Sequence, residues 1–207
     1  MRLRFEGLYA ITDEHLTPPS TIVAQVEEAI RAGVTIVQYR HKHQSDEEAL
    51  AVCRSLRSLC FDLGALFVVD DRPLVAAKVM ADGLHIGQDD ISIEEARELF
   101  PKGVIGVSCY GDLNRAKEAM AKGAGYVAFG SFFPSPTKPN SALVPLSLLG
   151  EAKQQLSLPV CAIGGIDAST IAQVAAYAPD MIACVSAIFG GTSIEANVKT
   201  LITRIYQ

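Results

Sequence analysis

Eight short apolar runs alternate with eight amphipathic segments along this chain of 207 residues, and few folds accommodate that pattern. The runs are Leu8–Ile11, Ile36–Tyr39, Leu66–Val69, Gly83–Ile86, Val104–Val107, Tyr126–Phe129, Val160–Ile163 and Met181–Val185. They are rich in Val, Ile and Ala and scarcely alternate, which marks strands covered on both faces. Between them lie Thr21–Ala32, Ser45–Leu63, Pro73–Met80, Ser92–Phe100, Asp112–Lys122, Leu146–Gln155, Ala168–Ala176 and Ser193–Tyr206, all with helical periodicity. Ser45-Asp46-Glu47-Glu48 and Ser92-Ile93-Glu94-Glu95 have the form of capping boxes. Gly33, Gly64 and Gly123 suit left-handed helix ends. The pattern predicts an α/β protein, a (β/α)8 TIM barrel occupying residues 1–207 as one domain. The rival is an open doubly wound sheet, and the repeat count favours the barrel.

Composition narrows the function. The net charge is −5 with no basic block, which argues against nucleic-acid binding, since phosphate contacts need clustered Lys and Arg. No apolar run reaches transmembrane length and Met1–Glu6 has no signal-peptide core, so a cytoplasmic protein without a membrane partner is expected. The five cysteines, Cys53, Cys60, Cys109, Cys161 and Cys184, lack zinc-ligand spacing and are odd in number. They read as buried free thiols. The sequence is compatible with a homo-oligomer.

A barrel carries its chemistry on the loops after the strand C-termini. In this chain those positions hold Gln38 to His43, Asp70-Asp71-Arg72, Gly87-Gln88-Asp89-Asp90, Ser108-Cys109-Tyr110, Ser135-Pro136-Thr137-Lys138, Gly164-Gly165-Ile166, and Ser186 with Gly190-Gly191. The strand starts are blander, and this asymmetry locates the active site. Phe133-Pro134-Ser135-Pro136-Thr137-Lys138-Pro139 places two hydroxyls and an ammonium on a proline-stiffened loop, an arrangement suited to a phosphate or diphosphate. Gln38, Arg40 and Lys42 alternate, so an extended chain points them one way, as a diphosphate clamp or as a solvated strand end. Asp71 and Asp90 end adjacent strands, where they either share a hard cation such as Mg2+ or cap the following helices. Gly164-Gly165, Ser186 and Gly190-Gly191 precede helices and suit a second anion site. His85 is either an acid–base group or a hydrogen-bonded barrel histidine, and it is not assigned a catalytic role. His15, His41 and His43 have no evident partner, and no nucleophilic triad emerges.

Together these residues resemble the thiamine phosphate synthase family. The resemblance rests on Tyr9-Ala10-Ile11-Thr12-Asp13, Gln38-Tyr39-Arg40-His41-Lys42, Asp70-Asp71-Arg72, His85-Ile86-Gly87-Gln88-Asp89-Asp90, Gly106-Val107-Ser108, Pro134 to Pro139, Ile163-Gly164-Gly165-Ile166 and Val185-Ser186-Ala187-Ile188-Phe189. It implies a transferase joining 4-amino-2-methyl-5-(hydroxymethyl)pyrimidine diphosphate to 4-methyl-5-(2-phosphoethyl)thiazole, with release of diphosphate. It implies that Gln38, Arg40, Lys42 and Lys138 hold the diphosphate beside Asp70, and that Asp71 and Asp90 bind Mg2+. It implies Ser108 at the pyrimidine, and Ser135, Thr137, Gly165, Val185 and Ser186 around the thiazole and its phosphate. The groups expected to act in catalysis are Arg40, Lys42, Ser108 and Lys138. The implied chemistry is dissociative: diphosphate departs, a benzyl-like cation forms, and the thiazole nitrogen attacks without a proton to remove. Two positions depart from the family pattern. Asp70 stands where asparagine is usual and adds a negative charge for Arg72 or the metal to offset, and Ser135 replaces a threonine. A thiazole tautomerase-like barrel and a non-catalytic thiamine-pathway binding protein are the alternatives. The first is expected to lack the Gln-x-Arg-x-Lys set, and the second has no need of the paired carboxylates.

Overall fold

The computed structural model describes residues 4–135 and 141–206. The strands are β1 (Gly7–Ile11), β2 (Ile36–Tyr39), β3 (Leu66–Asp70), β4 (Gly83–Ile86), β5 (Val104–Tyr110), β6 (Tyr126–Phe129), β7 (Val160–Ile163) and β8 (Met181–Cys184). All pair in parallel in chain order, and β8 pairs back onto β1, closing the barrel. Closure rules out the open sheet. The helices are α1 (Ile22–Ala32), α2 (Asp46–Leu63), α3 (Pro73–Lys78), α4 (Ile93–Leu99), α5 (Leu113–Ala121), α6 (Ser147–Gln155), α7 (Ile171–Ala175), α8 (Ser186–Phe189) and α9 (Ile194–Ile205). No helix among the described residues is long and apolar enough to cross a membrane.

Strand alternation divides the buried side chains into two cores. In β1, Leu8 and Ala10 face the helices while Tyr9 and Ile11 face the barrel interior. In β6, Val127 and Phe129 face outward and Tyr126 and Ala128 inward. The outer core joins the sheet to Val26 and Ala29 of α1, Leu56 and Cys60 of α2, and Val198 and Leu201 of α9. Truncating such a side chain, as in Leu56→Ala, costs about 2–5 kcal/mol. The inner core is closed toward the strand N-termini by Phe5, stacked on Tyr126 with ring centroids 5.1 Å apart. Gly106 is required beside that stack, because a Cβ there would lie 2.0 Å from Tyr126 Cζ. All five cysteines are buried and free.

Both capping boxes form. Ser45 and Ser92 each accept from the backbone N–H three residues on, while Glu48 and Glu95 accept from the backbone N–H of the two serines at 2.9 Å. Other boundaries differ from expectation. The strand expected to stop at Val107 continues to Tyr110, so Ser108 sits within β5. The strand expected to reach Val185 stops at Cys184, because Val185 turns the chain directly into α8. The helix expected from Ala168 begins at Ile171. The Asp167 carboxylate accepts from the N–H groups of Ser169 and Thr170 and holds those residues in a turn.

Candidate active site at the barrel mouth

A cavity of about 530 Å³ opens at the C-terminal ends of the strands. It brings together Gln38, Arg40, Lys42, Asp70, Asp71, Asp90, Ser108, Ser135, Gly165, Val185 and Ser186. Every described residue of the expected site therefore lines one space. Thr137 and Lys138 lie outside the described residues.

One wall is built from β2, β3 and the loop after β4. The backbone N–H of Arg40 donates to Thr12 Oγ1 at 2.9 Å and that of Thr12 to the Gln38 carbonyl at 2.9 Å, which ties the end of β2 to the end of β1. Gln38 is buried and donates from Nε2 to Tyr9 Oη at 2.8 Å. Arg40 Nε lies 3.6 Å from Asp70 Oδ2, and Lys42 Nζ lies 3.4 Å from the same oxygen. The Lys42 ammonium also pairs directly with the Asp71 carboxylate. The two cations thus already face carboxylate oxygens. Arg72, one of the two groups that could offset Asp70, turns elsewhere. It pairs with Asp46 and donates to the carbonyls of His41 at 3.0 Å and Gln44 at 2.6 Å, pinning the loop between β2 and α2. His41 and His43, unpartnered on sequence grounds, converge on Glu14 Oε2 at 3.5 and 2.7 Å. The His43 hydrogen bond holds the Glu14 carboxyl below its ordinary range.

Neither Asp71 nor Asp90 caps a helix. Arg72 occupies the N-cap position of α3, and Ser92 caps α4. Asp71 adopts a left-handed backbone, φ 55°, and its N–H donates to the His85 carbonyl at 2.9 Å. Such a conformation is uncommon in a residue with a side chain and recurs at functional sites. Asp90 Oδ2 accepts from the Gly87 N–H at 2.6 Å, which folds the loop back onto the end of β4. Among the described residues no group of three His, Cys, Asp or Glu side chains is arranged around a metal position. Mg2+ needs only one or two carboxylates when waters and substrate phosphate oxygens complete its shell, so this donor pair suits a hard cation held jointly with a diphosphate.

The opposite wall comes from β7, β8 and the loops after β6 and β7. Gly165 has φ 65°, and a Cβ there would lie 2.4 Å from the carbonyl oxygens of Phe133 and Pro134. Only glycine lets the two loops approach so closely. The Ser135 hydroxyl, the Gly164-Gly165 backbone and Ser186 at the start of α8 line this side, a combination suited to a phosphate.

Between the walls lies the barrel interior. Ser108 Oγ is 2.9 Å from His85 Nε2, and His85 Nδ1 is 2.9 Å from Tyr126 Oη. His85 thus makes hydrogen bonds inside the barrel. Burial raises the phenol pKa of both Tyr9 and Tyr126 well above the usual range, so both remain protonated. Arg115 on α5 donates to the carbonyls of Ser108 at 2.9 Å and Gly87 at 3.3 Å, fixing the ends of β5 and β4 together. Sequence reasoning missed Tyr9, Tyr126 and Arg115 as contributors. A hydroxyl inside an otherwise apolar strand run was the available signal for the two tyrosines.

Comparison with known proteins places the chain in a family. The family model described as "Thiamine monophosphate synthase" matches residues 8–188. The thiamine-phosphate synthase of Halorhodospira halophila is 46% identical over 203 residues, covering 96% of this chain and 93% of that protein. That of Wolinella succinogenes is 43% identical over 203 residues, covering 97% of this chain and 94% of that protein. Among solved structures, thiamine phosphate pyrophosphorylase from Pyrococcus furiosus superposes with a TM-score of 0.89 at 37% identity, covering 96% of this chain and 95% of the other. A family match over most of the chain, with relatives similar along nearly their whole length, is specific: this chain belongs to the thiamine monophosphate synthase family.

Proposed function

We propose that the mouth of this barrel joins 4-amino-2-methyl-5-(hydroxymethyl)pyrimidine diphosphate to 4-methyl-5-(2-phosphoethyl)thiazole, giving thiamine phosphate and diphosphate. The observation that carries this reading is one cavity with two unlike anion walls, Gln38, Arg40, Lys42, Asp71 and Asp90 on one and Ser135, Gly165, Val185 and Ser186 on the other. Family membership makes the chain a transferase of thiamine biosynthesis, and it ranks the tautomerase and non-catalytic readings below this one.

In this mechanism the pyrimidine diphosphate lies with its phosphates against Arg40 and Lys42, which exchange their contacts with Asp70 and Asp71 for phosphate oxygens. By the family resemblance, Lys138 acts with them on the diphosphate and Thr137 acts on the thiazole side. Mg2+ held by Asp71 and Asp90 supplies charge neutralisation for the diphosphate when bound. The methylene C–O bond breaks and its electron pair leaves with the diphosphate, while the 4-amino group feeds electron density into the ring and stabilises the cation. Arg40 and Lys42 are already in place before the charge develops, which is where fixed cations lower a barrier most effectively. Ser108 orients the pyrimidine, and the second wall holds the thiazole phosphate so that the ring nitrogen faces the methylene carbon. Its lone pair forms the new C–N bond. No proton is removed at any stage, so the reaction asks no acid–base work of His85, which hydrogen-bonds Tyr126 and Ser108. Positioning and electrostatics supply the catalysis.

The reading carries with it small-molecule partners, a cytoplasmic setting and a single domain. The experiment that tests the assignment of walls is Lys42→Met, assayed for thiamine phosphate by mass. A fall in kcat of at least a hundredfold, with thiazole phosphate KM little changed, is expected for a residue acting on the leaving group. A near-normal kcat would remove Lys42 from that role.

A further inference from the structure

Five side chains form one hydrogen-bonded row across the barrel interior. Gln38 Nε2 donates to Tyr9 Oη at 2.8 Å, and Tyr9 Oη lies 3.0 Å from Tyr126 Oη. Tyr126 Oη lies 2.9 Å from His85 Nδ1, and His85 Nε2 lies 2.9 Å from Ser108 Oγ. The row runs from β2 through β1, β6 and β4 to β5, and so connects the diphosphate wall to the serine at the cavity floor.

Proton counting gives the row a direction. Each phenol is protonated and has one proton to donate. Tyr9 accepts from Gln38, and the acceptor among its hydrogen-bond partners is Tyr126. The Tyr126 proton then goes to His85 Nδ1, which must be the unprotonated ring nitrogen. A neutral imidazole accepting at Nδ1 carries its proton on Nε2, within 2.9 Å of Ser108 Oγ, to which it then donates. With the Ser108 oxygen used as that acceptor, its own proton is left for an acceptor in the cavity that Ser108 lines.

We propose that Tyr9, Tyr126 and His85 are positioning residues that present the Ser108 hydroxyl to the pyrimidine as a donor and couple that orientation to Gln38. The proposal rests on the functional reading above and deepens it. A serine fixed as a donor selects a ring nitrogen, which only accepts, and discriminates against the exocyclic amino group, which only donates. The ring is thereby held in one orientation, with its methylene carbon directed to a constant place between the two walls. The row does this from inside the barrel, where a lost partner leaves a buried polar group unsatisfied.

The test is a two-bond 1H–15N spectrum of substrate-free, histidine-labelled protein at neutral pH, paired with kinetics of Tyr126→Phe and Tyr9→Phe. Phenylalanine removes only the hydroxyl, keeping the ring packing of position 126 on Phe5 and Gly106 and that of position 9 on Tyr126. The expected wild-type result is a His85 ring protonated on Nε2 alone. In Tyr126→Phe the two tautomers should mix, and kcat should fall about three- to tenfold with thiazole phosphate KM unchanged. Tyr9→Phe should shift both readouts in the same direction by less. A His85 protonated on Nδ1, or on both nitrogens, in an active enzyme overturns the row alone. Unchanged tautomer and kcat in Tyr126→Phe do the same. An Nε2–H ring in a protein that forms no thiamine phosphate overturns the functional reading, and with it the role given to the row.

Discussion

The Arg40 guanidinium and the Asp70 carboxylate face each other at 3.6 Å, and Lys42 reaches the same carboxylate oxygen at 3.4 Å. Asp70 therefore occupies cations that the proposed reaction needs for diphosphate. The arrangement keeps both side chains extended toward the cavity, at the cost of competition with substrate. Asp70→Asn removes the competing charge and retains the shape. It should lower the KM for pyrimidine diphosphate about three- to tenfold at low salt, the range expected of a partly buried pair, with a smaller gain at high salt. Initial rates against pyrimidine diphosphate concentration measure this. An unchanged KM would contradict competition by Asp70, and a higher KM would show that Asp70 assists binding.

Asp71 and Asp90 differ in what holds them. Asp71 is set by its left-handed backbone and paired with Lys42, whereas Asp90 is anchored through the Gly87 N–H. Asparagine at position 90 can still accept that hydrogen bond, so its effect should fall on metal and not on loop structure. Asp71→Asn and Asp90→Asn should each raise the Mg2+ concentration for half-maximal velocity by at least about tenfold, with circular dichroism unaltered. If velocity saturates at the wild-type Mg2+ concentration in either variant, that carboxylate is no metal ligand.

Burial pushes the thiols of Cys53, Cys60, Cys109 and Cys184 up to about 12, and that of Cys161 higher. A raised thiol pKa leaves little thiolate at neutral pH, and the thiolate is the reactive form. Folded protein should resist iodoacetamide at pH 8 at all five positions, while protein in denaturant takes up five equivalents. Rapid labelling of Cys161 or Cys184, which line the cavity, would mean that the barrel interior opens readily.

The capping boxes make a pH-dependent contribution. Hydrogen bonds from Ser45 and Ser92 hold the Glu48 and Glu95 carboxyls below the ordinary value of 4.5. A group with a depressed folded pKa contributes stability above its unfolded pKa and loses it as pH falls through the folded one. The Glu48→Gln, Glu95→Gln double variant should therefore lose less Tm than wild type between pH 5 and pH 3. Parallel Tm curves over that interval would contradict the assignment.

The barrel was legible because its strands are covered on both faces and its helices carry their own punctuation at Ser45, Ser92 and Gly64. The cavity lining was legible because polar residues concentrate at one end of nearly every strand. What escaped depends on contacts between elements distant in sequence. Nothing local to Tyr9 or Tyr126 announces that their hydroxyls meet across 117 positions of chain. The continuation of β5 to Tyr110 follows from pairing with Phe129, and four-residue α8 is too short to show a period. The late start of α7 is a competition between a helical first turn and the Asp167 side chain, which the side chain wins. Of the two groups that could offset Asp70, Arg72 instead pairs with Asp46 and donates to the His41 carbonyl, contacts that sequence adjacency does not announce.

The most direct test is a coupling assay with purified protein, pyrimidine diphosphate, thiazole phosphate and Mg2+, following thiamine phosphate and diphosphate together by mass. Stoichiometric formation of both products, abolished by EDTA or by omission of either substrate, is the predicted result. Folded protein that binds the pyrimidine diphosphate but releases neither product would contradict transfer at this cavity.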